Sequence, residues 1–253
     1  MVGVLLLAHR GLPAVDRPEN TVRAVRAALD GGADGVELDV RVTADGVLAL
    51  CHDPDLARLT GTAITVAGNP WACLRETAAE RGVALARVED ALVAAEGRRV
   101  VLELKKPPPG PAAAARTALA VAGQLRSLQR AGLPLDVTLS SFSTSVAAHV
   151  RRLLPPGSGV RTALLGREPA RPTSLLRQAL RHGHDEIHPH VLALLAAPES
   201  VGTAHAVGVA VTPWTVNRRR DVRRFARLGV DALITDVPAS ARVALTTAGT
   251  AAA

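Results

Sequence analysis

Gly35-Val36-Glu37-Leu38-Asp39-Val40 carries apolar residues at every second position and carboxylates between them. That period of two is a β-strand with one greasy face and one acidic face. Leu102-Glu103-Leu104-Lys105 repeats the arrangement. Where parallel strands are wrapped by helices, the apolar set faces the helices, and the charged set must then face the interior near an opening to water.

Working outward, the same kind of short apolar run recurs at Val4–Ala8, Val100–Leu104, Leu135–Ser140, Val160–Leu165, Glu186–His188, Ala206–Val211 and Ala232–Thr235. With Gly35–Val40 this makes eight strands. Between them lie Ala-, Leu- and Arg-patterned helical segments that begin near Glu19, Arg87, Pro111, Ser143, Pro172, Val191, Asn217 and Pro238, several opened by residues that suit a helix start. Eight βα units in 253 residues predict a TIM (β/α)8 barrel of the α/β class, with a short insertion after strand 2. Val47–Cys51 is an extra short strand, and Pro54–Gly82 is mixed and Gly-rich. The expected organisation is one barrel domain over 1–245, an insertion at about 53–84 and a disordered Ala/Thr tail at 246–253.

The composition excludes several classes of function. At 48% hydrophobic residues the chain is too apolar to be disordered. Its net charge of +7 comes from 28 Arg and only two Lys, Lys105 and Lys106. A basic chain invites a nucleic-acid reading, but Trp71, Phe142, Trp214 and Phe225 are the only aromatics and they are scattered, so no base-stacking platform is available. No nucleic-acid partner is expected. Cys51 and Cys73 have no redox or metal spacing, which suits a reducing compartment. The opening apolar run Val2–Ala8 is too short for a signal peptide, and no run reaches the roughly 18 residues of a membrane span. A cytoplasmic protein without stable membrane insertion is expected.

Glu37, Asp39 and Glu103 bring three oxygen donors together, a set that suits a hard divalent cation, Ca2+ or Mg2+, better than zinc. The competing reading is an internal salt bridge between Lys105 and a carboxylate, which would leave two acids without an evident partner. His9 and Arg10 follow the first strand, and His52 and Asp53 follow the extra strand, so both imidazoles land at the barrel mouth. Two histidines beside such an acid cluster suit general acid and base work at neutral pH.

These residues also resemble the glycerophosphodiester phosphodiesterase family. His9-Arg10-Gly11, Pro18-Glu19-Asn20-Thr21, the Gly35–Val40 strand, Thr43-Ala44-Asp45-Gly46, His52-Asp53 and Leu59-Thr60-Gly61 come in the family's order. Leu102–Lys105, Ser141-Phe142, Trp214-Thr215-Val216-Asn217 and Gly229–Pro238 continue it, so the resemblance spans Leu5 to about Pro238. It implies metal-dependent hydrolysis of a small glycerophosphodiester to glycerol 3-phosphate and an alcohol. Position by position, it implies Glu37, Asp39 and Glu103 as ligands of the divalent cation, His9 and His52 as the acid/base pair, and Arg10 and Lys105 as phosphate contacts. Ala86-Arg87-Val88-Glu89 departs from the family's usual helix start, which leaves the catalytic set intact but bears on substrate preference.

Trp214, at the end of the seventh strand, is expected to contact substrate, with a barrel plug as the alternative. Glu19 and Asn20 are read as loop-shaping and capping residues, and Asp236 as a helix cap. His182, His184, His188 and His190 cluster near the sixth strand, yet alternation distributes them over different surfaces, which argues against a metal site. Related barrel lipases that work at membranes fit less well, since membrane anchors are missing. A nonenzymatic anion-binding barrel gives no reason for the inward acids.

Overall fold

A computed structural model describes residues 3–110 and 112–249. Its strands are β1 (Leu5–His9), β2 (Gly35–Val42), β3 (Leu48–Leu50), β4 (Arg99–Leu104), β5 (Asp136–Ser141), β6 (Val160–Leu165), β7 (Glu186–His188), β8 (Ala210–Val211) and β9 (Ala232–Thr235). Eight run in parallel in the order β8-β7-β6-β5-β4-β2-β1-β9, and β3 adds antiparallel to β2. The ends meet through Asp231 N–H to Val211 O (3.1 Å), Ile234 N–H to Pro213 O (3.1 Å) and Val216 N–H to Ile234 O (2.9 Å). The chain is therefore a (β/α)8 barrel.

Alternation puts the apolar set outside as expected. Val36, Leu38, Val40, Leu102 and Leu104 are buried in one cluster with the helices around them. Each such side chain contributes about 1.5–3 kcal/mol on burial. The helix Arg219–Leu228 shows how arginine-rich segments join the core: Val222 and Phe225 are buried while Arg220 and Arg224 are exposed. Inside the barrel, Leu7, Val101, Ala232 and Ile234 form an apolar layer.

Register sets the site. His9 lies opposite Glu37, Asp39 opposite Glu103, and Glu103 opposite Ser140, so reactive side chains from four strands fall into one band. Gly35 permits the tight β2–β4 approach, because a Cβ there would sit 2.1 Å from the Arg99 carbonyl oxygen. The insertion carries two helices, Ala57–Thr60 and Trp71–Ala79, over a small core of Leu56, Val66, Leu74 and Ala78.

Some boundaries differ from the sequence reading. The strand predicted over Ala206–Val211 is only Ala210–Val211, because Ser200–His205 is a helix and the turn after it consumes the apolar residues, with Val209 N–H bonding Ala204 O. The final helix, Pro238–Gly249, runs into the stretch expected to be a disordered tail, and residues 250–253 lie outside the described residues. Pro111, the expected start of the helix now seen at Ala113–Arg130, is also outside them. Asn217 does not start its helix, which begins at Arg219; its side chain is engaged elsewhere.

Candidate active site

Glu37, Asp39 and Glu103 are all buried, and one carboxylate oxygen from each lies within 4.8 Å of the others. Lys105 Nζ sits 2.7 Å from both Asp39 Oδ1 and Glu103 Oε1. The internal salt bridge weighed against the metal reading thus exists, yet it does not use Glu37. That carboxyl is pushed far above the ordinary range, first by burial and then by the Asp39 charge. Burial also raises Asp39, but Lys105 and Arg10 outweigh it and hold that group low. A buried trio of hard oxygen donors in which one acid stays undercompensated fits a divalent cation.

Arg10 closes one side. Its backbone N–H donates to Glu37 (3.1 Å), its Nε lies 3.3 Å from Asp39 Oδ2, and its Nη1 donates to Glu19 at 3.1 Å. Its φ of 56° is a left-handed conformation that non-glycine residues rarely hold, and Gly11 beside it has φ 77° with Ala24 close against it. The chain turns sharply here to bring both the main chain and the side chain of Arg10 to the acids.

Each histidine is held by a carboxylate. His9 Nδ1 lies 2.7 Å from Asp236 Oδ1, and its Nε2 lies 3.9 Å from Glu37 Oε2. Burial would lower the His9 pKa, but the Asp236 hydrogen bond and the Glu37 charge prevail and raise it. His52 Nδ1 bonds Asp53 at 2.8 Å, and Arg58 in turn bonds Asp53 at 2.5 Å. With Nδ1 donating to a carboxylate, each neutral ring leaves Nε2 bare.

A cavity of about 460 Å³ joins these groups: His9, Arg10, Glu37, His52, Glu103, Lys105 and Trp214 all line it. Asp39 lies just behind, fixed by Lys105 and Arg10. Trp214 is tied by Nε1–H to His188 O (3.1 Å) and meets Phe142 edge-on at 5.4 Å. All eight residues singled out as site candidates are thus in or against one cavity.

Four residues have larger parts than sequence reasoning assigned. Asp236 does not cap a helix; it orients His9, and Asn217 holds it there by Nδ2 (2.6 Å) while accepting its N–H at 2.9 Å. Asn20 clamps Asp39 from both ends of its amide, at 2.8 and 2.9 Å, and the capping falls to Thr21, whose hydroxyl accepts from Ala24 N–H. Glu19 links Arg10 to Arg58. The signal for Asp236 and Asn217 was their presence in the matching segments, but spacing alone does not reveal that residues 227 positions apart share a hydrogen bond.

Residues 9–240 match the model of the glycerophosphoryl diester phosphodiesterase family. The chain belongs to that family. It is 30% identical over 247 residues to the glycerophosphodiester phosphodiesterase of Bacillus altitudinis, covering 92% of this chain and 94% of that one. To the enzyme of Caldanaerobacter subterraneus it is 29% identical over 251 residues, with the same shares covered. Its fold matches the glycerophosphodiester phosphodiesterase of Parabacteroides distasonis with a TM-score of 0.80 at 23% identity, covering 98% of each chain. The Thermotoga maritima enzyme matches at 0.75 and 24%, covering 97% of this chain and 99% of that one. This phosphodiesterase has an acidic trio able to hold a divalent metal, and no described helix is long and apolar enough to cross a membrane.

Proposed function

We propose that this phosphodiesterase cleaves small glycerophosphodiesters to glycerol 3-phosphate and an alcohol, with Glu37, Asp39 and Glu103 holding Ca2+ or Mg2+. The observation that carries the reading is the meeting, in one cavity, of that buried trio with two carboxylate-held histidines. When bound, the cation supplies Lewis acidity toward the phosphoryl oxygens.

The chain's own residues supply the rest. Arg10 and Lys105 place positive charge where the phosphate's negative charge grows during attack. One of His9 and His52 takes the proton from the attacking hydroxyl, whether of water or of the substrate's glycerol. The other gives a proton to the departing oxygen, so that one P–O bond forms as another breaks. Asp236 and Asp53 keep each Nδ1 engaged and each Nε2 available. Trp214 is assigned the apolar side of the bound substrate. The two cysteines are unpaired, which supports a reducing, cytoplasmic setting.

The test is a panel of glycerophosphodiesters, including the choline and ethanolamine compounds, with Mg2+ or Ca2+ and detection of released glycerol 3-phosphate. Release from at least one is expected, and none from any member overturns the assignment. Chelation is expected to stop turnover and added cation to restore it; chelator-insensitive turnover contradicts the three-carboxylate site. His9→Ala and His52→Ala are each expected to lose about 10²–10⁴-fold in kcat with the fold retained. Full activity in either removes that residue from the mechanism.

A further inference from the structure

Three cations at the same cavity have no part in the chemistry above. Arg41 at the end of β2, Lys106 just beyond β4 and Arg167 just beyond β6 all line it. Arg10 and Lys105 are matched by the acids they touch. Among the described residues, no carboxylate lies within ion-pair distance of Arg41, Lys106 or Arg167, whereas Asp53, the remaining acid on the lining, is engaged by His52 and Arg58. Arg41 is oriented by two hydrogen bonds to the His52 carbonyl, at 3.1 and 2.8 Å. Arg167 lies over the Phe142 ring, 4.0 Å from its centroid. Glu168, its neighbour in sequence, turns to His190 at 3.7 Å and does not line the cavity.

Charge balance gives these groups a meaning. The three buried acids, a divalent cation, Arg10 and Lys105 leave one positive charge, which the scissile phosphodiester neutralises. Arg41, Lys106 and Arg167 then remain as a positive sector running from β2 to β6. A second cavity of about 680 Å³ adjoins the first, sharing Arg41, Pro54, Lys105 and Lys106, and no acidic side chain is among its described lining residues. A large headgroup therefore has room beyond the reacting phosphate. A quaternary ammonium headgroup meets three like charges and no free carboxylate here, and Arg167 already occupies one face of the Phe142 ring.

Resting on the phosphodiesterase reading, we infer that this sector is a headgroup subsite, and that the preferred substrates are glycerophosphodiesters whose alcohol carries a phosphate of its own. Guanidinium and ammonium groups are the usual partners of phosphate, and such charge-assisted bonds are the strong ones.

The experiment compares glycerophosphoinositol with glycerophosphoinositol 4-phosphate, and both with glycerophosphocholine, on enzyme already shown active on one panel member. At low ionic strength kcat/KM for the phosphorylated member is expected to exceed that for its unphosphorylated partner by about tenfold, mainly through KM, and added salt is expected to shrink the gap. In Arg167→Gln/Lys106→Gln, both at exposed positions, the ratio is expected to fall close to one. Equal rates on the inositol pair, a preference for the choline compound, or a ratio retained in the double variant overturns the subsite. Inactivity on the whole panel instead overturns the phosphodiesterase reading itself.

Discussion

Single side chains in this site act through the residues that hold them. His9 owes its orientation and its raised pKa to Asp236, and Asp236 owes its place to Asn217. Asp236→Asn keeps the size of the side chain but removes the charge and turns one of its two accepting oxygens into a donor, so it no longer serves both His9 and the Asn217 amide. It is expected to lower kcat about 10–100-fold with little change in thermal stability, the usual scale for a partner that orients an active group. Steady-state kinetics beside a melting curve checks this, and unchanged kcat removes Asp236 from the positioning of His9. Asn20 plays the same part for Asp39, and its φ of 59° shows that the backbone bends out of the common regions to place the amide.

At the scale of elements, the N-terminal ends of β4 to β7 hold a polar layer beneath the apolar one. Glu186 accepts from Thr138 (3.0 Å) and Arg161 (3.0 Å), pairs with His188 at 3.1 Å, and lies near Arg99. Burial alone would raise its pKa, but His188 and the two arginines overcome that and hold it at about 2. A carboxyl depressed in the folded state stabilises the fold above its unfolded value of 4.5, and that contribution fades as pH falls toward about 2. Glu186→Gln removes the buried charge that the part-buried Arg99 and Arg161 share with Asp136, and is expected to cost about 1.5–3 kcal/mol in denaturant unfolding at neutral pH. His184 acts in a higher window. Burial, with help from Arg151 and His182, lowers it to about 4, and its ring bonds Thr162 at 2.9 Å. Its contribution is complete above the unfolded value of 6.5 and is lost as pH falls from there toward 4. His184→Gln is expected to flatten the pH dependence of stability between those values, and an unchanged slope assigns that acid sensitivity elsewhere.

For the molecule as a whole, the acidic trio is an electrostatic cost within the folded state that a bound cation removes. Saturating Mg2+ or Ca2+, at about a hundred times its Kd, is expected to stabilise the fold by about 2.7 kcal/mol and raise Tm by roughly 5–10 °C. Glu37→Gln is expected to reduce that rise, and a Tm indifferent to either cation argues against the site. Differential scanning calorimetry with and without chelator reads both. The arginine excess also separates at this scale. Arg220 and Arg224 lie exposed on the outer face of their helix, whereas Arg41, Lys106 and Arg167 converge on the cavity.

The period of two in Gly35–Val40 and Leu102–Lys105 already carried the essentials: strands wrapped by helices, apolar residues outward, and three acids inward. Side-chain alternation is a local property of extended backbone, so it is written in the sequence, as are the eight βα units. Element ends were less legible, as in β8, where a preceding helix and turn took residues whose apolar pattern suited a strand equally well. Tertiary structure alone decided that Lys105 reaches Asp39 on the neighbouring strand, that Asp236 reaches back to His9, and that Arg167 lies over Phe142. These pairings depend on barrel closure and strand register, which juxtapose the ends of distant strands and leave no trace in local spacing.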